Sequence, residues 1–326
     1  MEQRHLGRSG LQVSRLTLGT MTWGRDTDEH EARDQLTAFV GAGGTLVDTA
    51  DVYGDGASER VLGQLLDDVV PRDQVMVATK AVSRPGSARH FDASRGHLMD
   101  ALEGSLRRLR TDHVDLWQLH APDPLTPMDE TLSTLDDAVR SGKARYVGVS
   151  NFCGWQTAQF ATWQEAVAGR ARVASNQMEY SLLQRGVERE VLPAAQALGI
   201  GLLAWSPLGR GVLTGKYRTG TPADSRGASD HFSAFVQPFL GEHSRRVVEA
   251  VVTAAEGLGV APLEVALAWV RDQPGVTSAI VGARTAAQLL GSLQAESLEL
   301  PDEIRSALDE VSAPERGYPE FGWNQR

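Results

Sequence analysis

The sequence predicts a (β/α)8 barrel forming a single domain over residues 1–326. Short apolar segments alternate with longer amphipathic ones eight times along the chain, and strand after helix after strand implies a parallel sheet. Several of the short segments, such as "GLLAWS", are apolar on both faces. That is expected where helices cover one face and a packed barrel interior covers the other. The length of 326 residues suits eight such units in one domain. A doubly wound open sheet is the alternative architecture.

Taken in order, "RHLGRSGLQVSR" reads as a hairpin around a glycine-containing turn, placed to close the bottom of the barrel. "RLTLGTM" is the first strand, followed by the helix "DEHEARDQLTAFVGAG". "TLVDTA" leads into "SERVLGQLLDDV", "QVMVATK" into "DASRGHLMDALEGSLRRLR", and "VDLWQLH" into "MDETLSTLDDAVRSG". "ARYVGVS" precedes "GWQTAQFATWQEAVA", and "ARVASNQM" precedes "GVEREVLPAAQALG". "GIGLLAWSP" opens a long loop, followed by the helices "RRVVEAVVTAAEGLG" and "PLEVALAWVRDQ". "VTSAIVGA" and "TAAQLLGSL" form the last unit, with further helix and loop beyond. The stretch of residues 218–235 is rich in Gly, Ser and Asp, and a loop of that length is uncommon without a function.

Composition excludes several function classes. The formal net charge of −10 argues against a nucleic-acid groove or an anionic membrane surface. A single cysteine, Cys153, rules out an internal disulfide framework and a cysteine-based zinc site. No apolar leader is read in "MEQRHLGRSG" and no run reaches membrane-spanning length, so a cytoplasmic protein is expected. The outer helices show no unmistakable apolar patch, which leaves self-association open.

Catalytic groups of such barrels sit at the C-terminal ends of the strands. Here those ends carry Asp48, Lys80, His120, Ser150 with Asn151, Asn176 with Gln177, Trp205 with Ser206, and Gly282 with Arg284. Each alone is readily a loop or structural residue. Together, a carboxylate, an ammonium and an imidazole at successive strand ends, with the phenol of Tyr53 in the adjoining loop, face one mouth. A lysine cation favours the phenolate and lowers the phenol's pKa from its usual value of about 10. Asp48 can hold Lys80, His120 can hydrogen-bond a substrate carbonyl or the phenol, and Tyr53 then serves as general acid near neutral pH. None of these side chains supplies a hydride, so a cofactor is required. No GxGxxG occurs, so a dinucleotide binds another way. The loops after strands seven and eight, "SPLGRGVLTGKY" and "GARTAAQ", suit phosphate. Thr285 is placed to cap a helix whose N-terminus favours an anion, and Arg284, Lys216 and Arg226 supply cations. A pyrophosphate plus a second phosphate suggests NADP(H) rather than NAD.

The stretches "LGTMTWG", "VDTADVYG", "ATK", "DLWQLHAPDP", "GVSNF", "NQMEYS", "AWSPLGRGVLTGKY" and "VGARTAAQL" resemble the aldo-keto reductase family in order and spacing, over essentially the whole chain. The resemblance is nearest the branch of bacterial reductases related to the β subunits of voltage-gated potassium channels. It implies a tetrad of Asp48, Tyr53, Lys80 and His120. It further implies that Ser150, Asn151 and Gln177 hold the nicotinamide carboxamide, that Trp205 stacks on the ring, and that Gly19, Thr20 and Met21 lie along its other edge. Ser206, Pro207, Leu208, Gly209, Arg210 and Lys216 would surround the pyrophosphate, with Arg226 closing the loop and Gly282, Arg284 and Gln288 at the 2′-phosphate end. The sequence departs from the branch at Gly291 and Ser292, where a Glu–Asn pair usually faces the adenine. On the substrate side, Trp23 and the tail residues Tyr318, Phe321 and Trp323 are expected to build an aromatic pocket over the mouth.

The leading function is NADPH-dependent reduction of aldehydes or ketones to alcohols. A cofactor-sensing binding subunit is the alternative, as the channel-associated relatives suggest, but those carry Asn where this chain has His120. A metal-dependent barrel hydrolase fits poorly, because His113 and His120 are read as pointing to opposite faces of one strand.

Overall fold

A computed structural model describes residues 1–230, 232–315 and 317–318. Its sheet is a closed barrel of parallel strands in which chain neighbours pair and the last strand closes on the first, with a separate two-stranded hairpin. The hairpin pairs β1 (Gln3–His5) with β2 (Gln12–Ser14). Its Leu6, Leu11 and Val13 pack against Leu46, Ala78, Leu116, Ala174, Leu203 and Ile280 inside the barrel. The expected plug is therefore present, and it completes an apolar interior below the site.

The first half of the barrel runs β3 (Leu16–Gly19), α1 (Glu29–Gly41), β4 (Leu46–Asp48), α2 (Ala57–Asp68), β5 (Met76–Ala81), α3 (Arg95–Leu109), β6 (Val114–Leu119) and α4 (Met128–Arg140). Asp28 caps α1 by accepting the Glu31 N–H, and Glu29 and Glu31 place negative charge in the first turn, where the helix dipole favours it. The second half runs β7 (Ala144–Ser150), α5 (Gly154–Glu165), β8 (Val173–Glu179), α6 (Val191–Leu198), β9 (Gly201–Trp205), α7 (Ser233–Val236), α8 (Glu242–Leu258), α9 (Pro262–Arg271), β10 (Val276–Gly282), α10 (Ala286–Leu293) and α11 (Asp302–Val311).

Three readings change. The segment read as one helix from Gly186 is a short 3-10 turn (Gly186–Glu188) followed by α6, whose third position is Pro193, a residue tolerated only near a helix start. The long loop after β9 carries local structure, a 3-10 turn at Arg226–Ala228 and α7. The outer surface is not free of apolar groups, since α5 exposes Trp155 and Trp163.

The main core lies between strands and helices. Trp117 and Leu119 of β6 are buried there, as their alternation with His120 predicts. Close helix approach depends on glycine at one point. A Cβ added to Gly63 in α2 would lie 2.4 Å from the Arg108 carbonyl oxygen, so α2 and α3 touch backbone to backbone. Gly63→Ala is expected to cost about 1–3 kcal/mol by forcing the helices apart, read as a lower denaturant midpoint without loss of the folded far-UV spectrum. Among the described residues no single helix is long and apolar enough to cross a membrane.

Candidate active site

The strand register gathers the polar strand ends at one mouth. Gly19 pairs with Asp48, Asp48 with Ala78, and Lys80 with Gln118. Tyr53 follows β4 in a tight loop in which Gly54, Asp55 and Gly56 all have positive φ. That conformation is easy for glycine and tolerable for Asp, and it turns the phenol back over the strand ends.

Lys80 is fully buried, and its ammonium uses all three donors. Nζ lies 2.6 Å from Asp48 Oδ2, 2.8 Å from the Thr49 carbonyl and 3.3 Å from the Tyr53 hydroxyl. The other Asp48 oxygen accepts from Gln177 Nε2 at 2.8 Å and Gln118 Nε2 at 3.5 Å. A buried charge of this kind persists because it is paired and hydrogen-bonded on every side. The Tyr53 and His120 rings meet edge to face at 5.9 Å.

The electrostatics differ from the sequence expectation in one respect. Burial is the largest influence on the Tyr53 phenol and pushes its pKa up, as does Asp48; the Lys80 cation pulls it down without cancelling the rise. Tyr53 is thus a protonated donor across neutral pH rather than a phenol lowered toward it. Burial opposes the Lys80 ammonium, but the charge of Asp48 and its contact with Tyr53 outweigh that and raise its pKa. His120 is driven down to about 3 by burial and then by Lys80. It is a neutral imidazole at physiological pH, and its Nδ1 is sealed from solvent without a protein partner.

These groups form one end of a cavity of about 610 Å3. Its wall includes Asp48, Tyr53, His120, Ser150, Asn151, Gln177, Gly19, Thr20 and Met21, together with Trp205, Ser206, Pro207, Leu208, Arg210, Lys216, Arg226, Gly282, Arg284 and Gln288. Lys80 does not line the cavity but touches it through Asp48 and Tyr53. Trp205 Nε1 donates to Asn151 Oδ1, and Asn151 Nδ2 donates to the His120 carbonyl, which ties these three residues together at the cavity wall. Asn151, Ser206 and Arg210 hold positive φ although none is glycine, and such strained backbone gathers at functional sites.

Lys216, Arg226 and Arg284 converge at the far end. Burial and then mutual repulsion with Arg284 lower the Arg226 pKa, and burial, with Arg226 and Arg284, lowers that of Lys216 despite an opposing pull from Tyr217. Among the described residues none of the three forms an ion pair. Arg210 is different, because its Nε and Nη2 donate to Glu179 at 2.7 Å, its Nη1 donates to the Phe235 carbonyl, and the Phe235 ring lies under it. Its charge is already matched. The N-terminus of α10 is also occupied. Thr285 caps the Gln288 N–H as expected, but the Glu31 carboxylate takes the Ala286 N–H at 2.6 Å, so these donors are already satisfied within the protein.

Several expected residues stand elsewhere. Trp23 is fully buried, because its loop turns the indole inward and Nε1 donates to Gln35 Oε1 at 3.0 Å. It does not face substrate. Tyr318 is 77% exposed and lines no part of the cavity, while Phe321 and Trp323 lie outside the described residues. Gly209 sits behind the wall, its φ of 54° making the turn that presents Leu208 and Arg210. His113 and His120 flank opposite ends of β6, which is a stronger separation than opposite faces. Sequence reading missed Thr214, Phe235, Leu263 and Ala287, which also line the cavity. Gly291 and Ser292 line its far end too, where the departure from the resembled pattern falls.

Comparison with known proteins follows the same contour. The family model described as "Aldo/keto reductase family" matches residues 15–313. A Bacillus subtilis protein named "Uncharacterized oxidoreductase YrpG" is 38% identical, with 95% of this chain and 96% of that protein covered. A rice protein named "Probable voltage-gated potassium channel subunit beta" is 36% identical, with 98% of each covered. "Aldo-keto reductase YhdN" of Bacillus subtilis is 34% identical over 98% of this chain and 97% of its own length.

Proposed function

The chain belongs to the aldo/keto reductase family, a family of oxidoreductases, and from that premise we propose that it reduces aldehydes or ketones to alcohols with NADPH. The observation that carries the reading is the Tyr53 hydroxyl held 3.3 Å from a fully buried Lys80, itself bonded to Asp48, in the wall of a cavity large enough for a nucleotide and a small carbonyl.

The residues present fit such a cofactor. Lys216, Arg226 and Arg284 form a cationic cluster with no ion pair among the described residues, only the more distant pull of Asp224 and Asp26, which suits phosphate groups. Gly19 and Gly282 give a wall at the strand ends free of side chains, and Ser150, Asn151 and Gln177 offer amide and hydroxyl groups for a carboxamide. When bound, the nicotinamide would supply the hydride. The protein's own part is at the oxygen. His120, neutral, donates an N–H to the substrate carbonyl and orients it. The Tyr53 O–H donates its proton as negative charge grows on that oxygen. Lys80 stabilises the phenolate left behind, and Asp48 keeps the ammonium in place between Thr49 and Tyr53.

The test is NADPH oxidation with a panel of aromatic and aliphatic aldehydes, run beside NADH. Turnover on at least one carbonyl with NADPH is expected. Tight NADPH binding without turnover on any of them would favour a cofactor-sensing subunit instead, a reading the similarity to the rice protein keeps in view. Specificity between the cofactors has its own variant. Arg284→Ala is expected to raise the KM for NADPH about tenfold or more, the value of one charge-assisted contact, and to leave the KM for NADH nearly unchanged. Equal effects on both cofactors would place Arg284 away from the 2′-phosphate.

A further inference from the structure

We infer that Asp51, a residue outside the proposed tetrad, is a positioning residue that weakens the acidity of Tyr53 when it ionises and so makes the reaction sense pH near neutrality. The inference rests on the reading of Tyr53 as the general acid.

Three carboxylates, of Asp48, Glu59 and Asp51, stand behind the phenol. Two ion pairs are complete there, the first buried on both sides and the second with Arg108 26% exposed. Lys80 pairs with Asp48 at 2.6 Å, and Glu59, buried on α2, pairs with Arg108 of α3 at 2.6 Å. The other Glu59 oxygen accepts the Thr79 hydroxyl at 2.5 Å, next to Lys80 in β5. Asp51 has no such partner. Its backbone N–H donates to the Lys80 carbonyl at 3.2 Å, which ties it to the same strand end. Its Oδ1 is sealed from solvent with nothing to bond.

Asp51 itself is half-buried, with one oxygen sealed, and a carboxylate partly withdrawn from water beside charges that are already paired holds its proton more readily. The groups that bear on it are Glu59 and Arg108 from the helices, Lys80 from β5 and Tyr53 from its own loop. Burial and the Glu59 charge push the Asp51 carboxyl up to about 7, while Arg108, the Val52 N–H and Lys80 pull the other way. Asp51 is thus neutral in mildly acidic solution and charged in mildly alkaline solution.

Its negative charge raises the Tyr53 pKa. The sign for catalysis follows. A phenol that holds its proton more tightly is a weaker general acid, so carbonyl reduction slows as pH rises through the Asp51 titration. This is separate from the fall at high pH where Tyr53 itself deprotonates. The orphan oxygen also has a rationale in this reading. A carboxyl stabilised by a full set of donors would stay ionised and could not change state.

The experiment measures kcat for aldehyde reduction at saturating NADPH between pH 5 and pH 9, for the wild type, Asp51→Asn, Arg108→Gln and Tyr53→Phe. The wild type is expected to lose rate several-fold across neutral pH. Asp51→Asn, nearly isosteric and unable to ionise, should keep the acidic-side rate through that range. Arg108→Gln removes a cation and makes Asp51 harder to ionise, so its step should move to higher pH. A difference infrared titration of wild type against Asp51→Asn reads the carboxyl directly, without turnover. A flat wild-type profile across neutrality, an unchanged step in Asp51→Asn, or a carboxyl that titrates in the ordinary aspartate range would each overturn the inference while leaving the reductase reading intact. Turnover that survives in Tyr53→Phe would overturn both.

Discussion

Tyr53→Phe is expected to lower kcat for carbonyl reduction by about two to four orders of magnitude, the usual range for removing a positioned general acid. The substitution deletes one oxygen, that of a side chain standing edge-on to His120 with its hydroxyl beside Lys80. The ring keeps its packing, so the fold and NADPH affinity should persist. Lys80 retains Asp48 and the Thr49 carbonyl as partners. What is lost is the one O–H beside His120 that can deliver a proton to a carbonyl oxygen. His120 does not replace it, because burial keeps it neutral with a pKa of about 3 and its N–H is needed as a hydrogen bond rather than as an acid. The measurement is single-turnover oxidation of NADPH, with fluorescence quenching for cofactor binding in parallel. A variant that binds NADPH like the wild type and turns over within tenfold of it would remove Tyr53 from the mechanism.

The barrel was legible in the sequence because its period is strong. Residues such as Trp117 and Leu119 alternate with their neighbours, and their burial behind β6 follows from the pleat alone. The strand-end residues were legible for the same reason, since a parallel barrel leaves each at one rim. The electrostatic balance was not. That a cation lowers a phenol's pKa is sound pairwise, but the sign at Tyr53 depends on how deeply the ring is buried, a property of the whole packed neighbourhood. Trp23 failed similarly. An aromatic near a site motif reads as a pocket wall, yet its indole N–H found Gln35 on α1 and the ring went into the core. Arg210 and Glu31 show the third limit. Their partners, Glu179 and the α10 N-terminus, come from distant parts of the chain, and no spacing rule reveals that a charge is already matched.

The buried pair supplies a prediction in which stability and activity separate. Lys80→Met keeps much of the side chain's volume and removes its charge, so Asp48 stays in the interior with two amide donors and no cation. Breaking a buried ion pair from one side typically costs about 3–5 kcal/mol, because the remaining charge is stranded. Removing both charges, as in Asp48→Asn with Lys80→Met, strands nothing, and the double variant should be more stable than the single one. Both should lack turnover, since neither can stabilise the Tyr53 phenolate. The pH dependence distinguishes this from a packing defect. In Lys80→Met the folded-state pKa of Asp48 rises above its unfolded value of about 3.9. The unfolded state then releases that proton first as pH rises, so the deficit is small in acid and grows with pH until Asp48 ionises in the folded state as well. Urea unfolding at acid and neutral pH measures it. A deficit that is equal at both, or a double variant less stable than Lys80→Met, would show that the lysine stem's packing matters there and that the charge does not.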